Sequence, residues 1–575
     1  MAQQVFKNWN QNQMMLLPPS LDELIPEGHM VRFINKAVDS IDTSELLASY
    51  KGGGTSAYHP VMLLKILVYA YVNKIFTVRP MAKALRQDIH FMWLAGMSQP
   101  DFRTISNFRS GRLKPHIERL FASLLEVLIE EGYINLKNYF VDGSKWEADA
   151  NPHSHVWGKN TERYKTKTQE RIRALLDEID QLNEDEDQRY GNADLEEKGD
   201  GKDLNSQEVE NRIEKLKEKV NHRKQELGEQ KQRNEDEQTT QKRKNIKKAT
   251  TRLRWIENKE LKKLQKYESQ EQILAGRNSY SKTDTDASFM RMKDDRLRAG
   301  YNVMLGTEDL FIVNYSIHQK AGESGLLVPH AEKLRQRLNR LPENIIGDSA
   351  YGTFENYTYL NKHQTGNYLK FNTFHRENKR QHQDNPYLRD NMPYDRHKDE
   401  FTCPQGRKLQ YEKTVKNTSY NGFASQRQIY ACKDCSNCPE ASACLKKSDN
   451  QHRTISVSWQ LEAYKKQARN NLTSIYGKAL RKQRNYDVEA VFGQLKRNMG
   501  HYRFRLRGLA KVILEFGLLS IAYNLKKWFE QMKAIPKAEA QKAAIFFQHL
   551  FVFFFLKYRK TYFIQLFENI SKNDF

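Results

Sequence analysis

Apolar residues recur at helical spacing through His59-Pro-Val-Met-Leu-Leu-Lys-Ile-Leu-Val-Tyr-Ala-Tyr, with Pro60 suited to a first turn. A second helix is predicted from Arg79 to Arg86. A third starts at Ser98-Gln-Pro-Asp101, a good N-terminal signal, and runs through Phe102-Arg-Thr-Ile-Ser-Asn-Phe-Arg. Residues 137–142 then read as a buried strand. From about 160 to 275 the composition turns to Lys, Glu, Gln, Asp and Asn. Within that stretch Ile172, Leu175, Ile179 and Leu182, and again Val209, Ile213, Leu216, Val220 and Leu227, keep a coiled-coil-type spacing. Asn183-Glu-Asp-Glu-Asp and Asp200-Gly-Lys-Asp read as loops between helices.

Strand patterns return at Tyr301-Asn-Val-Met-Leu and Leu310-Phe-Ile-Val-Asn-Tyr-Ser-Ile, with Gly306-Thr-Glu-Asp as a hairpin turn. A helix from about 325 to 341 follows, then a strand at Asn344-Ile-Ile-Gly, a helix near Phe354 to Lys362 and a strand near Tyr368-Leu-Lys-Phe. The order is strand, insertion, strand, strand, helix, strand, helix, strand. It is the order of an α/β fold with a ribonuclease-H-like core, a mixed five-stranded sheet flanked by helices. Seven segments follow: an N-terminal helical domain (1–135), the first part of the core (136–160), a charged helical insertion (161–276), the core continued (277–375), a Cys-rich insertion (376–470), a core helix with a basic segment (471–530) and an apolar tail (531–575).

Charge narrows the partners. The 575 residues carry 94 Lys plus Arg against 71 Asp plus Glu, a formal +23. That excess favours a polyanion, with nucleic acid first and an anionic membrane surface as the competitor. The most apolar stretch, Ala543 to Leu556, is shorter than the ~20 residues that span a bilayer and reads as a buried or dimer-forming helix. No signal peptide is visible at Met1-Ala-Gln-Gln-Val-Phe-Lys. These features predict a cytoplasmic protein that meets DNA at the nucleoid and has no membrane partner. The three short N-terminal helices are then readable as a helix-turn-helix. Arg103, Thr104, Asn107 and Ser110 share one face toward a DNA groove, with Arg109 beside it for a phosphate. The plainer alternative is a helical bundle whose last helix has a solvated face.

Three carboxylates carry the chemistry. Asp142 ends the apolar run Asn138-Tyr-Phe-Val, Asp348 ends Asn344-Ile-Ile-Gly, and Glu489 lies on a basic amphipathic helix. In the predicted topology the first and fourth strands are neighbours, so both Asp residues lie side by side and the helix closes the site. Carboxylates crowded in an apolar rim repel one another unless divalent cations neutralise them. Hard oxygen ligands suit Mg²⁺ or Mn²⁺, and two such ions about 4 Å apart serve phosphoryl transfer. Lys496 follows Glu489 by two helical turns and is a candidate phosphate contact. Arg497, His501, Arg503, Arg505 and Arg507 alternate with Tyr502, Phe504 and Leu506, one set for phosphates and one for packing.

With these residues in view, the chain resembles a bacterial insertion-sequence transposase of the DDE class. It is most similar to the insertion-sequence family numbered eleven eighty-two. The matching stretches are Tyr58-His-Pro-Val-Met-Leu-Leu-Lys, Phe140-Val-Asp-Gly-Ser-Lys-Trp-Glu-Ala-Asp-Ala-Asn, Ser281-Lys-Thr-Asp-Thr-Asp-Ala-Ser-Phe-Met, Gly347-Asp-Ser-Ala-Tyr-Gly and Tyr502-Arg-Phe-Arg-Leu-Arg-Gly. The resemblance implies that Asp142, Asp348 and Glu489 are the three metal-binding carboxylates and Lys496 the lysine of the glutamate helix. Related families place a Tyr and an Arg seven and four residues before that glutamate. Here Lys482 and Asn485 stand there, with Arg481 and Arg484 close by.

All five cysteines lie between Cys403 and Cys444, as Cys403-Pro-Gln-Gly and Cys432-x2-Cys435-x2-Cys438-x5-Cys444. Paired Cys-x2-Cys steps suit tetrahedral Zn²⁺. A structural zinc knuckle is predicted, with five candidates for four ligands. The resemblance includes such a cluster after the second Asp.

The expected function is DNA transposition: binding terminal inverted repeats, cleaving element ends and joining the 3′-hydroxyl to double-stranded target DNA. Joining two ends calls for a homodimer or larger assembly. The alternatives are a ribonuclease-H-like nuclease without strand transfer and a zinc-containing DNA-binding protein with an inactive core.

Overall fold

The computed structural model describes residues 20–50, 57–190, 204–229, 237–419, 421–433, 435, 437–445 and 452–534. The apolar tail beyond 534 and the loop predicted at Asp200-Gly-Lys-Asp lie outside them. The chain divides into two compact units. The first comprises Met1–Trp146, Asn302–His318 and Gly322–Phe575, and the second Glu147–Tyr301 and Gln319–Ala321.

The first unit begins with helices. Pro60–Val72 is buried on nearly every side, as a core helix of uniformly apolar sequence must be. Val78–Gln87, Ile89–Leu94 and Phe102–Asn107 follow it. Asp101 caps the last of these, its Oδ1 accepting the Thr104 N–H at 2.7 Å. The helix is shorter than its apolar spacing predicts, because Phe108–Arg112 continues as a π-helical turn.

Among the described residues, eight strands precede the cysteine region: β1 (Asn138–Glu147), β2 (His155–Trp157), β3 (Ser279–Ser281), β4 (Ser288–Arg291), β5 (Leu297–Glu308), β6 (Phe311–His318), β7 (Asn344–Gly347) and β8 (Gly366–Leu369). In the first unit they run in the order β6-β5-β1-β7-β8. β5 and β6 are antiparallel, whereas β1, β7 and β8 are parallel, so the sheet is mixed. The core is Tyr139, Phe140, Val141, Val303, Leu305, Ile312, Val313, Ile345 and Ile346, none more than 1% exposed.

Three local details depart from the sequence pattern. β1 does not stop at Asp142, because Ser144 and Trp146 keep alternating inward after the apolar run ends. The β5–β6 turn is not at Gly306. It falls at Asp309 and Leu310, both with positive φ (50° and 68°), as a two-residue hairpin of the primed type demands. Gly306 sits instead at a register shift, where a Cβ would lie 1.7 Å from Tyr139 Oη. Leu310 is held in its left-handed conformation from both sides: its N–H donates to Asp487 Oδ1 at 3.2 Å and its carbonyl accepts from Tyr523 Oη at 3.0 Å.

A buried carboxylate fixes where β1 starts. Glu308, at the end of β5, accepts the N–H groups of Asn135, Leu136, Lys137 and Asn138 at 2.7–3.3 Å. The long helix Leu509–Ala534 packs against β6, where the Phe516 ring meets that of Tyr315 at 5.5 Å between centres. Asn524 clips it to β6, bonding both the N–H and the carbonyl of Ile312.

In the second unit, Gly158–Tyr190, Ser206–Glu229, Glu237–Trp255 and Lys262–Leu274 are helices, with a π-helical stretch Ile256–Leu261. Ile172, Ile179, Val209, Ile213, Leu253 and Leu264 belong to one shared apolar core. Asn183–Asp187, read above as a loop, continues the first of these helices. β2 pairs with β3, and β4 pairs with residues 297–300 of β5, a short strand that the sequence pattern did not reveal.

The cysteine region, in the first unit, builds its own antiparallel sheet from β9 (Tyr394–Asp395), β10 (Glu400–Thr402), β11 (Lys408–Thr418), β12 (Ala424–Ala431) and β13 (Thr454–Val457). No described helix is long and apolar enough to cross a membrane.

Candidate active site

The β1–β7 register brings the two aspartates together. Tyr139 pairs with Ile345 and Phe140 with Ile346 in parallel. Asp142 and Asp348 each lie two residues beyond that last pair, so they stand at the same height on the same face. Glu489 arrives on a separate helix. Ile475–Tyr486 ends at Asp487, whose φ of −95° and ψ of −89° break the chain, and Val488–Gly493 starts anew with Glu489 in its first turn.

One guanidinium joins all three. Arg484 lies 3.5 Å from Asp142, 3.6 Å from Asp348 and 3.6 Å from Glu489. It is 6% exposed, whereas the Glu489 side chain is 52% exposed. The cation therefore sits beneath a carboxylate rim that opens to solvent. Its distances are those of ion pairs and not of short hydrogen bonds. A buried charge that must be neutralised is met by three acids at once, which leaves a formal excess of two negative charges at the rim.

Three more side chains enter the cluster. Glu323 lies against Gly143: a Cβ there would be 2.7 Å from the Glu323 Cδ, so a larger residue would push this fourth carboxylate aside. Tyr351 Oη lies 3.4 Å from Glu323 Oε2. Lys370 Nζ lies 3.5 Å from Asp348. Burial pushes the Asp142 carboxyl above the usual range; Arg484 opposes this and the neighbouring Glu489 and Asp348 add to it. Burial alone would raise Asp348 too. There the Ser349 N–H, Arg484 and Lys370 win, and the carboxyl falls below its ordinary value. Glu323 is raised, by burial first and by Asp142 second.

This donor set fits a hard divalent cation: it is all carboxylate oxygen, net negative, and open on one side. Among the described residues, no group of three or more His, Cys, Asp or Glu side chains is already set to hold an ion. At the rim Arg484 stands between the three carboxylates.

The other predicted residues are placed differently from one another. Lys496 Nζ donates to Ser144 Oγ and the Lys145 carbonyl, both at 2.7 Å, and lies 4.0 Å from the Trp146 ring centre. It thus braces β1, because the π-helical turn Gln494–Asn498 rotates it off the line that seven α-helical residues would follow. Arg103 and Asn107 are exposed on the Phe102–Asn107 helix. Arg109 is not: it is 4% exposed and donates to the Phe76 carbonyl at 2.9 Å, an interior bond that leaves the expected phosphate contact without support. Arg497, Arg505 and Arg507 are exposed and Arg503 half-buried, while Phe504 packs inward. His501 is buried against Glu515 at 2.9 Å. Glu515 also accepts the N–H groups of Arg505 and Leu506, so the basic loop is tied down by its backbone and its arginines face out.

Sequence reasoning missed Glu323 and did not assign Arg484. Glu323 has no strand-end or helix signature. Arg484 precedes Glu489 by five residues, and only the break at Asp487 carries it under the carboxylates.

None of the five cysteines is in a disulfide. They line one small cavity with Arg453 and Glu440. Burial pushes the Cys444 thiol up; Arg453 lowers it, and Cys403, Cys435 and Cys438 raise it further.

Residues 402–529 match the transposase DDE domain family, a stretch that holds Glu489, Arg484 and the cysteines but neither aspartate. Residues 19–111 match a transposase domain of the DUF772 family. No curated protein and no solved structure matches the chain. The two family matches, at either end of a mixed α/β structure, support an insertion-sequence transposase of the DDE class, a metal-dependent polynucleotidyl transferase or nuclease acting on DNA.

Proposed function

We propose that the chain is the transposase of an insertion sequence of the eleven eighty-two type, with a ribonuclease-H-like core. It binds the terminal inverted repeats of its element, cleaves a strand at each end and joins the freed 3′-hydroxyl to target DNA. The strand order β6-β5-β1-β7-β8 supports the core assignment. The observation that carries the functional reading is the meeting of Asp142, Asp348 and Glu489 around one buried guanidinium.

Asp142, Asp348 and Glu489 would hold Mg²⁺ or Mn²⁺, which when bound supplies a more nucleophilic water or 3′-hydroxyl and a stabilised leaving oxygen. The rest falls to the protein. Arg484 offsets the negative charge of Asp142, Asp348 and Glu489 and holds the three side chains around one point. Lys370 offsets Asp348. Lys496 positions β1 and thereby Asp142. Arg103 and Asn107 face the element end, and Arg497, Arg503, Arg505 and Arg507 contact backbone phosphates. Two ends are held by a homodimer or larger assembly. A structural Zn²⁺ in the cysteine region belongs to the same reading and takes no part in the chemistry.

Strand transfer separates a transposase from a nuclease of the same fold. Pre-cut element ends are incubated with supercoiled target DNA and Mg²⁺. The wild type gives joined product and Glu489→Gln gives none. A wild type that cleaves ends and never joins them overturns the transposase reading in favour of the nuclease.

A further inference from the structure

We infer that the two-stranded ribbon of β11 and β12 reads DNA, and that Lys416 and Gln426 on one of its faces meet base edges in the major groove of the element end. The inference rests on the DNA-binding function proposed above and adds a surface to it. Among the described residues, β11 beyond Gln410 pairs with β12 alone, and β12 before Gln428 pairs with β11 alone. Residues 413–418 and 424–427 therefore stand without a third strand. Both of their faces are uncovered. Thr414, Lys416, Thr418, Ala424 and Gln426 are exposed on one, and Lys413, Val415, Asn417 and Arg427 on the other.

A lone hairpin with no apolar face is marginal in water. This one is held at both ends instead. Its foot runs into the β9–β13 sheet, over the core of Phe401, Leu409, Tyr430 and Val457. At its tip, Asn421 Nδ2 donates to the Gly325 carbonyl at 3.1 Å and to the Glu355 carboxylate at 3.3 Å. A Cβ on Gly325 would lie 2.6 Å from that nitrogen. The Phe423 ring meets Phe354 edge-on, 5.3 Å between centres. A surface anchored in this way is ordered before any ligand arrives, so binding costs little further ordering.

The chemistry of the ribbon names its occupant. Residues 413–431 contain Lys413, Lys416 and Arg427 and neither Asp nor Glu. Such a surface attracts a polyanion, and lysines on an edge strand oppose pairing with the edge of a second copy. A two-stranded ribbon fits the major groove of B-DNA, about 12 Å wide. Lys416 and Gln426 are directly opposed in the β11–β12 register, so their side chains leave the same face side by side. A lysine donates to guanine O6 and N7, and a glutamine amide makes two bonds to adenine N6 and N7. Toward the foot of that face, Thr414 shares a hydrogen bond with Tyr411 at 2.8 Å and Gln428 accepts from Tyr430 at 3.0 Å. The opposite face sets Arg427 against Val415 and so lacks a paired reader.

Fluorescence anisotropy of the full-length protein tests this, without divalent metal so that no cleavage intervenes. One labelled duplex carries the terminal sequence that flanks the gene, and a second carries the same bases scrambled. The wild type is expected to prefer the first. Gln426→Ala should lose at least ~fivefold of that preference and bind the scrambled duplex as before, since a two-bond base contact is worth roughly 1–3 kcal/mol. Lys416→Ala should lose a similar share. Val415→Thr, on the opposite face, should match the wild type on both duplexes, which separates a lost contact from a disturbed ribbon. A wild type that prefers the end, with Gln426→Ala and Lys416→Ala keeping that preference, overturns the ribbon assignment and leaves the transposase reading standing. A wild type that binds both duplexes alike defeats both. Sedimentation of the same samples covers the other occupant: variants that keep the preference and lose a dimer give the ribbon to a second copy of the chain and overturn the inference.

Discussion

Arg484 is the cation that joins the three carboxylates. Replacing it with Gln leaves Asp142, Asp348 and Glu489 facing one another without a cation. The rim is partly exposed, so the cost is set between surface and buried limits, roughly 1–2 kcal/mol at neutral pH. Mg²⁺ would restore more to the variant than to the wild type, where Arg484 already offsets the three carboxylates. Thermal melts with and without Mg²⁺ read this directly, and an equal metal-induced change in both proteins contradicts it. Asp487 gives a second test at this scale. Burial raises its carboxyl to about 6, and Asp309 pushes it the same way. A raised acid favours the protonated folded state. Its contribution is fully present below the ordinary carboxylate range and is lost as pH rises through about 6. The loss is about 3 kcal/mol at most, since each tenfold change in proton affinity is worth ~1.4 kcal/mol. The melting temperature of Asp487→Asn minus that of the wild type should therefore climb between pH 4 and pH 8; a flat difference refutes the linkage. The two aspartates were legible in the sequence because each closes an apolar strand run. Arg484 was visible only as a neighbour, since no periodicity foretells a helix break at Asp487. Glu323 was invisible: it comes from a loop and carries no strand-end or helix signature.

Elements place these residues, and the strongest anchor is Glu308. Four backbone N–H groups at the entry to β1 converge on it. Glu308→Ala strands those donors and should cost roughly 3 kcal/mol or more. Glu308→Gln keeps an acceptor and should cost clearly less. Denaturant titration of both measures it, and equal losses would show that the carboxylate is incidental. Most elements of the core were readable from period alone: Pro60–Val72, Phe354–Lys362 and the strands β6 and β7 fall close to where the pattern puts them. Where the pattern failed, the causes are local. At Phe108–Arg112 the chain makes a π-helical turn with Arg109 buried, and nothing in local sequence marks a π turn. The β9–β13 sheet was missed because β11 is exposed along nearly its whole length and shows no apolar alternation.

At the scale of the whole molecule, the charge of +23 is the dominant fact. Binding to duplex DNA should weaken steeply with salt, log affinity falling linearly with log salt concentration. Changing Arg505 and Arg507 to Gln together should reduce that slope by about 2, near one for each phosphate left without its arginine. An unchanged slope with weakened binding would mean that neither arginine touches phosphate. Charge and composition made a nucleic-acid partner legible from the start, and the family matches at 19–111 and 402–529 agree with it. The division into two units was legible only in outline, as the charged helical stretch whose apolar positions close one core. The central claim is that Asp142, Asp348 and Glu489 act together as the strand-cleaving site. Its most direct test is cleavage of a duplex carrying the element end in Mg²⁺, by the wild type and by Asp348→Asn, with end binding measured in the same samples. The account predicts that the variant binds the end as tightly as the wild type and cleaves it at least a thousandfold more slowly, a loss of about 4 kcal/mol in transition-state stabilisation. An Asp348→Asn protein that cleaves at the wild-type rate would contradict it.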